Sequence, residues 1–287
     1  MSRLHSTKRI DGSDPSNFSH GSPERRLPAQ MRKIKIFEAI HEFGFVAVTD
    51  IAAQIGVSEM TIRRDLDELE REGLLSRTHG GAVSLTGDSQ PNKMDREEPA
   101  YDSRLRLCRS AKERIAASAA LFVEPRQSIA LDVGTTTFLL AQHLVKSMNF
   151  KLFTNSLRIG ALAEATRCDI YVSGGSVRFE ELSVYGPSAV AQFEKLWFDV
   201  AFVGVSGVTT EGLFDYSMED CEMKRTYLSR SSKKILLCDS SKFHRMSLVQ
   251  VAKLDELDML ITEADPPADI AKALIKSNVE LYIAREI

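Results

Sequence analysis

The 287-residue chain lacks any apolar run of the roughly 18 residues that a membrane-spanning helix requires. Its opening stretch, MSRLHSTKRIDGSDPSNFSHGSPERR, has no apolar core of the kind that marks a secretory leader. These absences exclude a membrane partner and point to the cytoplasm. Cysteine is scarce and scattered, as Cys108, Cys168, Cys221 and Cys238, with no CxxC pair. Neither a disulfide framework nor a zinc site is expected, and a reducing compartment fits. There is no internal repeat. No metal, no cofactor and no catalytic residue is expected.

What is present is an ordinary globular composition, 43% hydrophobic with a net charge of −3, ample for one large domain or two smaller ones. The charge is unevenly spread. Residues 1–35 hold eight Lys and Arg against three acids, on a body that is acidic overall. A basic end on an acidic body suits a polyanionic partner. Residues 1–30, rich in Ser, Pro, Gly and Asn, read equally as a solvated, disordered basic tail.

From Met31 the pattern changes. Ile34, Phe37, Ile40 and His41 recur at helical spacing up to Gly44. Thr49 is placed to cap a short second helix, broken at Gly56. Ser58 is a good N-cap for a third, running to about Glu72 before Gly73. LLSRTHGGAVSL then reads as two strands around a turn. Residues 31–86 therefore predict a winged helix-turn-helix domain, and the polar, proline-containing stretch 87–103 a linker. A helix from about Arg104 to Phe122 opens the second domain, 104–287. There, seven short apolar runs alternate with amphipathic helices: SIALDV, FKLFT, DIYVSG, VAFVGV, KILLCD, DMLIT and VELYIA. Continuous apolar runs suit strands buried on both faces of a mostly parallel sheet, so the fold class is α/β, doubly wound.

The third helix carries the most specific pattern, GVSEMTIRRDLDELEREG. At 100° per residue Ile62, Leu66 and Leu69 share the buried face, while Arg63 and Arg64 point outward near the N-terminus. That end of a second helix enters the major groove in helix-turn-helix proteins. Ser58, Glu59, Met60, Thr61, Arg63 and Arg64 are the candidate contacts, with arginine able to fork onto guanine or grip phosphate and Glu59 able to accept from cytosine. Arg77 and His79 fall on the wing, where they would meet phosphate. The acids behind, repelled by phosphate, would fix which end enters. The bland alternative is a solvated face with ion pairs Arg63–Asp67 and Arg64–Glu68.

In an open α/β sheet ligands bind beyond the carboxyl ends of the strands. There the sequence places Gly134 with Thr135, Thr136 and Thr137 at a helix N-terminus, a natural anion site. Thr154 and Asn155, Gly174 and Gly175, Gly204 and Gly207, and Lys242 close further strands. Structural turns explain each alone; together they make a pocket for a small anion.

The stretch FVAVTDIAAQIGVSEMTIRRDLDELEREGLLSRTHGGAV resembles the N-terminal signature of the DeoR family of bacterial transcription regulators, and DVGTTT, TNS, SGG and DSSKF resemble its sensor domain. The likeness runs from about Met31 to near the C-terminus. It implies a fold similar to ribose-5-phosphate isomerase and a phosphorylated sugar or polyol as effector. It also assigns Asp132, Gly134, Thr135, Thr136 and Thr137 to a phosphate loop, with Thr154, Asn155, Gly174, Gly175 and Lys242 lining the rest. The SGV, FDY and TEADPP segments are similar to the glycerol-3-phosphate repressor branch, though LFDYSMEDCEMKR is spaced differently, which leaves the effector open. The expected function is a repressor of a sugar or polyol catabolic operon, binding operator DNA as a homo-oligomer, dimer or tetramer. The alternative is a sugar-phosphate isomerase-like enzyme with an appended DNA-binding domain. Against it, the GVSGV run holds no carboxylate where the isomerases carry an acid-rich one. Asp215, Glu219, Asp220 and Glu222 are the candidates to replace it, or else form a helix turn favoured by the dipole.

Overall fold

A computed structural model describes residues 27–43, 45–72, 74–78, 80–84, 93–94, 98–146, 149–166 and 168–285. The tail 1–26, Gly73 and His79 lie outside the described residues.

The N-terminal unit runs α1 (Ala29–Phe43), β1 (Phe45–Ala47), α2 (Val48–Ile55), α3 (Glu59–Arg71), β2 (Leu75–Thr78) and β3 (Gly81–Ser84), the strands forming an antiparallel sheet in the order β1-β3-β2. This is the expected winged helix-turn-helix, with β1 as an added third strand. Because β1 leads directly into α2, the cap of α2 is Ala47 and not Thr49; Val48 N–H is held instead by the Gly80 carbonyl at 2.8 Å. Gly56 ends α2 at φ 76°, a left-handed conformation that glycine adopts without steric cost. Ser58 caps α3 as expected, accepting from the Thr61 N–H. Ile62, Leu66 and Leu69 are buried. The buried face of α1 is rotated from the expected one: Ile36, Ala39 and Ile40 enter the core, while Ile34 is 49% exposed.

The acids on α3 serve as anchors. Buried Asp65 takes a forked pair from Arg32 of α1 at 2.7 and 2.9 Å. Lys33 reaches Glu68 and Glu72, each at 3.0 Å. Arg77 on β2 pairs with Asp67, and its N–H donates to Glu70 at 2.8 Å. These contacts fix α3 against the first helix and the wing.

Next come β4 (Lys93–Met94), α4 (Tyr101–Arg106) and α5 (Arg109–Ala120). The single helix expected over 104–122 is thus two. They break at Cys108, whose φ of 53° costs a non-glycine residue about 1–2 kcal/mol. The chain continues through β5 (Ser128–Leu131), α6 (Thr135–Leu144), β6 (Lys151–Thr154), α7 (Leu157–Gly160), β7 (Asp169–Val172), β8 (Ser176–Arg178), β9 (Ser183–Tyr185), α8 (Pro187–Phe193) and β10 (Phe198–Gly204). It ends with β11 (Gly207–Thr209), β12 (Gly212–Asp215), α9 (Met218–Ser229), β13 (Ser231–Leu237), β14 (Arg245–Met246), β15 (Val249–Ala252), β16 (Met259–Thr262), α10 (Ala268–Lys276) and β17 (Glu280–Ile283).

All seven expected strands form one sheet, ordered β17-β16-β13-β10-β5-β6-β7 and parallel throughout. Alternate side chains separate onto two faces. Ile129, Leu131, Val200, Phe202, Ile235 and Leu237 pack with α5 and α6. Ala130, Ala201, Val203, Leu236 and Leu260 pack with α8, α9 and α10. The strand order reverses between β5 and β10, and such a reversal opens a crevice beyond the carboxyl ends of the two strands.

Candidate DNA interface and sensor site

At the front of α3, Ser58, Glu59, Met60, Arg63 and Arg64 are exposed and Thr61 is half-buried, its hydroxyl 2.9 Å from that of Ser58. Arg63 pairs with Glu59 at 3.1 Å, a different partner from the Asp67 of the bland reading. Both groups are about half exposed, so the pair contributes no more than about 1 kcal/mol and yields easily to phosphate. Arg64 makes no ion pair among the described residues and is the free cation of this face. Arg77 is committed to Asp67, so of the two wing candidates the described one is already neutralised.

At the sheet reversal, β5 runs into Asp132 and then α6, while β10 ends at Gly204. Asp132 is buried. One of its carboxylate oxygens accepts from Gly204 N–H at 3.0 Å and ion-pairs with Lys224 of α9. Lys224 also donates to the Gly204 carbonyl at 2.8 Å and meets Asp215, at the end of β12, at 3.2 Å. Burial works against the Lys224 charge, but Asp132 and Asp215 outweigh it, and its pKa stands above the ordinary lysine value. Burial pushes the Asp132 pKa upward, opposed chiefly by Lys224. The geometry of a close, doubly accepted ammonium supports the charged pair. The second oxygen of Asp132, Oδ1, is buried and makes no hydrogen bond of good geometry, the Thr137 hydroxyl being its nearest donor.

The N-cap of α6 is Gly134, not a threonine. Its backbone is extended, and a Cβ there would sit 3.0 Å from Thr137 Oγ1 and 3.5 Å from Asp132 Oδ1. That carboxylate oxygen therefore borders the start of α6, where the first N–H groups have no acceptor within the helix. Thr137 Oγ1 lies 3.1 Å from both the Asp132 and the Gly134 carbonyls, which fixes the loop. Thr135 and Thr136 are buried beside it.

The other expected residues divide. Thr154 accepts from Ser156 N–H at 3.0 Å. Asn155 donates to the Val184 carbonyl and accepts from the Tyr227 hydroxyl, so it ties β9 and α9 to the end of β6. Gly174 and Gly175 are exposed, with Gly174 paired to Gln192 of α8. Lys242 lies half-buried in the turn after β13; burial lowers its pKa to about 8, against the pull of Asp239.

A second charge group, missed in the sequence, adjoins the first. Arg178 at the end of β8 pairs with Asp220 of α9 at 2.6 Å and with Glu98. Arg104 of α4 pairs with Glu98 at 3.3 Å and with buried Glu181. Of the acids proposed to replace an isomerase's carboxylates, Asp215 and Asp220 are thus held by cations. Glu219 bonds the capping Ser217 at 2.9 Å, and Glu222 is exposed. A groove of about 1000 Å³ lies elsewhere, lined by Glu194, Glu222, Arg225, Lys234 and Asp255 near the amino end of β13.

Among the described residues no helix is long and apolar enough to cross a membrane, and no three His, Cys, Asp or Glu side chains converge as metal ligands would.

Two family models match: the DeoR-like helix-turn-helix domain over residues 32–87 and the DeoR C terminal sensor domain over residues 108–264. A putative aga operon transcriptional repressor of Escherichia coli O157:H7 is 31% identical over 94% of this chain and 100% of its own length. The glycerol-3-phosphate regulon repressor of Escherichia coli K12 is 27% identical over 86% of this chain and 96% of its own. Among solved structures, a D-ribose-5-phosphate isomerase in complex with phospho-erythronic acid superposes on 47% of this chain and 54% of its own, with 20% identity and a TM-score of 0.37.

Proposed function

Given that the chain belongs to the DeoR family, and so is a transcription regulator with a C-terminal sensor domain rather than an enzyme, we propose that it represses a sugar or polyol catabolic operon and is released by a phosphorylated sugar or polyol. Two or four copies, working in the cytoplasm, grip repeated operator half-sites, because symmetric half-sites call for symmetric oligomers. Arg64 and Arg63 enter the major groove, with Ser58, Glu59, Met60 and Thr61 around them, and the wing rests against the backbone.

The observation that carries the effector reading is the buried, poorly satisfied Oδ1 of Asp132 at the start of α6. An acceptor left only the Thr137 hydroxyl, which two backbone carbonyls also claim, beside donors without an acceptor suits a ligand with both a hydroxyl and an anionic group. The hydroxyl goes to Asp132 and the phosphoryl group to the N–H groups of Thr135, Thr136 and Thr137. Thr154, Gly174, Gly175, Gly204 and Lys242 complete the wall, and Asn155 holds it in place. The ligand favours the DNA-incompetent arrangement, and its differential affinity sets how far the equilibrium moves. The name of the Escherichia coli relative makes glycerol 3-phosphate one compound to try, and the different operon in the name of the putative aga operon repressor is a reason to test a wider panel.

Calorimetry with phosphorylated sugars and polyols, each beside its unphosphorylated parent, tests this. Binding of a phosphorylated compound alone, lost in Thr136→Glu, is expected. Equal binding of parent and phosphate ester would place the recognition elsewhere.

A further inference from the structure

The segment that joins the two domains is fastened at both ends. At its start, Glu98 pairs with Arg178 and with Arg104. Tyr101 then lies edge-on to Phe138 of α6 with centroids 6.5 Å apart, under the guanidinium of Arg158 of α7 at 4.0 Å. These partners belong to elements that follow the carboxyl ends of β5, β6 and β7, the rim of the sensor site. At its far end, Leu107, Cys108 and Ala111 pack on Phe45 and Ala47 of the DNA-binding domain. Asp50 of α2 accepts the Cys108 N–H, and Lys112 donates to the Arg104 carbonyl, binding α4 to α5.

The sensor-side fastening is electrostatic and shared. Arg178 divides its charge between Glu98 and Asp220, and Arg104 between Glu98 and Glu181. Asp220 in turn acts on Lys224, the cation that holds Asp132. The two groups hold five carboxylates, Glu98, Asp132, Glu181, Asp215 and Asp220, against three cations, Arg104, Arg178 and Lys224. They have negative charge in excess already. A bound phosphoryl group adds more and competes for the cations. Glu98 draws on both arginines and comes from the connecting segment, so its hold is what an incoming anion loosens.

We propose that residues 98–107 form a charge-latched strap that reports occupancy of the sensor site to the DNA-binding domain, with Glu98 on Arg178 as the latch. The strap rests on the reading that this site takes an anion. Latched, it seats Cys108 against Asp50 and holds the DNA-binding arrangement; unlatched, it frees the winged domain.

The test is fluorescence anisotropy of the full chain on DNA from upstream of its own gene, using the wild type, Glu98→Gln, Arg178→Gln and the double variant. A panel of phosphorylated compounds that includes glycerol 3-phosphate is then added to each. Both single variants should weaken DNA binding about tenfold without any compound, and the double variant by clearly less than the sum, because the Glu98–Arg178 pair is lost in all three while Arg178–Asp220 and Glu98–Arg104 are each lost in only one single variant. Hydrogen exchange in the 98–107 peptide should quicken in both. A panel compound that releases the wild type should shift the variants less than twofold. Variants that bind DNA as the wild type does and respond fully would overturn the latch, as would fully additive losses. If one single variant fails to fold, the other decides between these outcomes by itself. A wild type that no phosphorylated compound moves counts against the effector reading alone; the variants' affinity without compound still decides the latch.

Discussion

The Lys224 ammonium on α9 and the Asp132 carboxylate after β5, 92 residues apart in the chain, are ion-paired at the point where the strand order of the sheet reverses. Lys224 supplies the counter-charge for two carboxylates, Asp132 and Asp215, and it spans the two elements that border the candidate sensor site. Its removal leaves Asp132 and Asp215 buried without a counter-charge. Lys224→Met should therefore lower stability by about 3–5 kcal/mol, and Lys224→Met with Asp132→Asn by less. Urea unfolding of the two variants measures this. A single variant within about 1 kcal/mol of wild type would show that the pair is not desolvated.

Arg64→Ala should weaken operator binding by about 1–3 kcal/mol, flatten the salt dependence by about one unit and leave the melting temperature unchanged. The reason is that Arg64 is exposed and unpaired among the described residues, whereas Arg77 is held by Asp67. Normal operator binding by Arg64→Ala would mean that α3 presents another face to DNA.

Much of this was legible. Each of the seven strands appeared as a continuous apolar run, because a parallel strand covered on both faces needs no polar alternation. The outward arginines followed from helix periodicity alone. The break at Cys108 was not legible: nothing local stops that helix, and the left-handed residue bonds Asp50 across the domain boundary, a contact that sequence does not reveal. The three-residue β1 is too short to carry a pattern. Lys224 was hidden in the polar run MEDCEMKR. A signal existed, since it lies three residues from Cys221 and four from Leu228, on the buried face of α9. A lysine at such a position demands a buried partner, but sequence could not say that Asp132 was near. Asp65 was hidden in the same way, on the core side of α3 among acids that face water.

Phosphorylated-ligand affinity should fall as pH rises through about 8, where Lys242 loses its proton. Burial sets that value, with Asp239 opposing it and Arg245, Lys112 and Arg104 lowering it further. The phosphoryl group is already a dianion there, so the trend comes from the protein. The stability effect has the opposite sign. Between about 8 and the usual ~10.4 the unfolded chain binds more protons than the folded one, so this lysine favours folding increasingly as pH rises across that window. Calorimetry at pH 7 and 9 on wild type and Lys242→Met checks the first claim. A wild type with equal affinity at both would remove Lys242 from the site.

Thr136→Glu should abolish the response to effector while operator binding stays within about twofold, since a fixed carboxylate at the first turn of α6 occupies the N–H groups meant for phosphate. A variant induced like wild type would move the phosphate site away from α6.

The most direct measurement is fluorescence anisotropy of the wild-type protein on DNA from upstream of its own gene and its neighbours, at fixed salt, with each compound of a phosphorylated sugar and polyol panel and its unphosphorylated parent. Release of the DNA by one phosphorylated compound, and not by its parent, is the predicted result. Tight, sequence-preferring binding that no compound of the panel alters would contradict the account of the Asp132–Gly134–Thr135 crevice as a sugar-phosphate sensor.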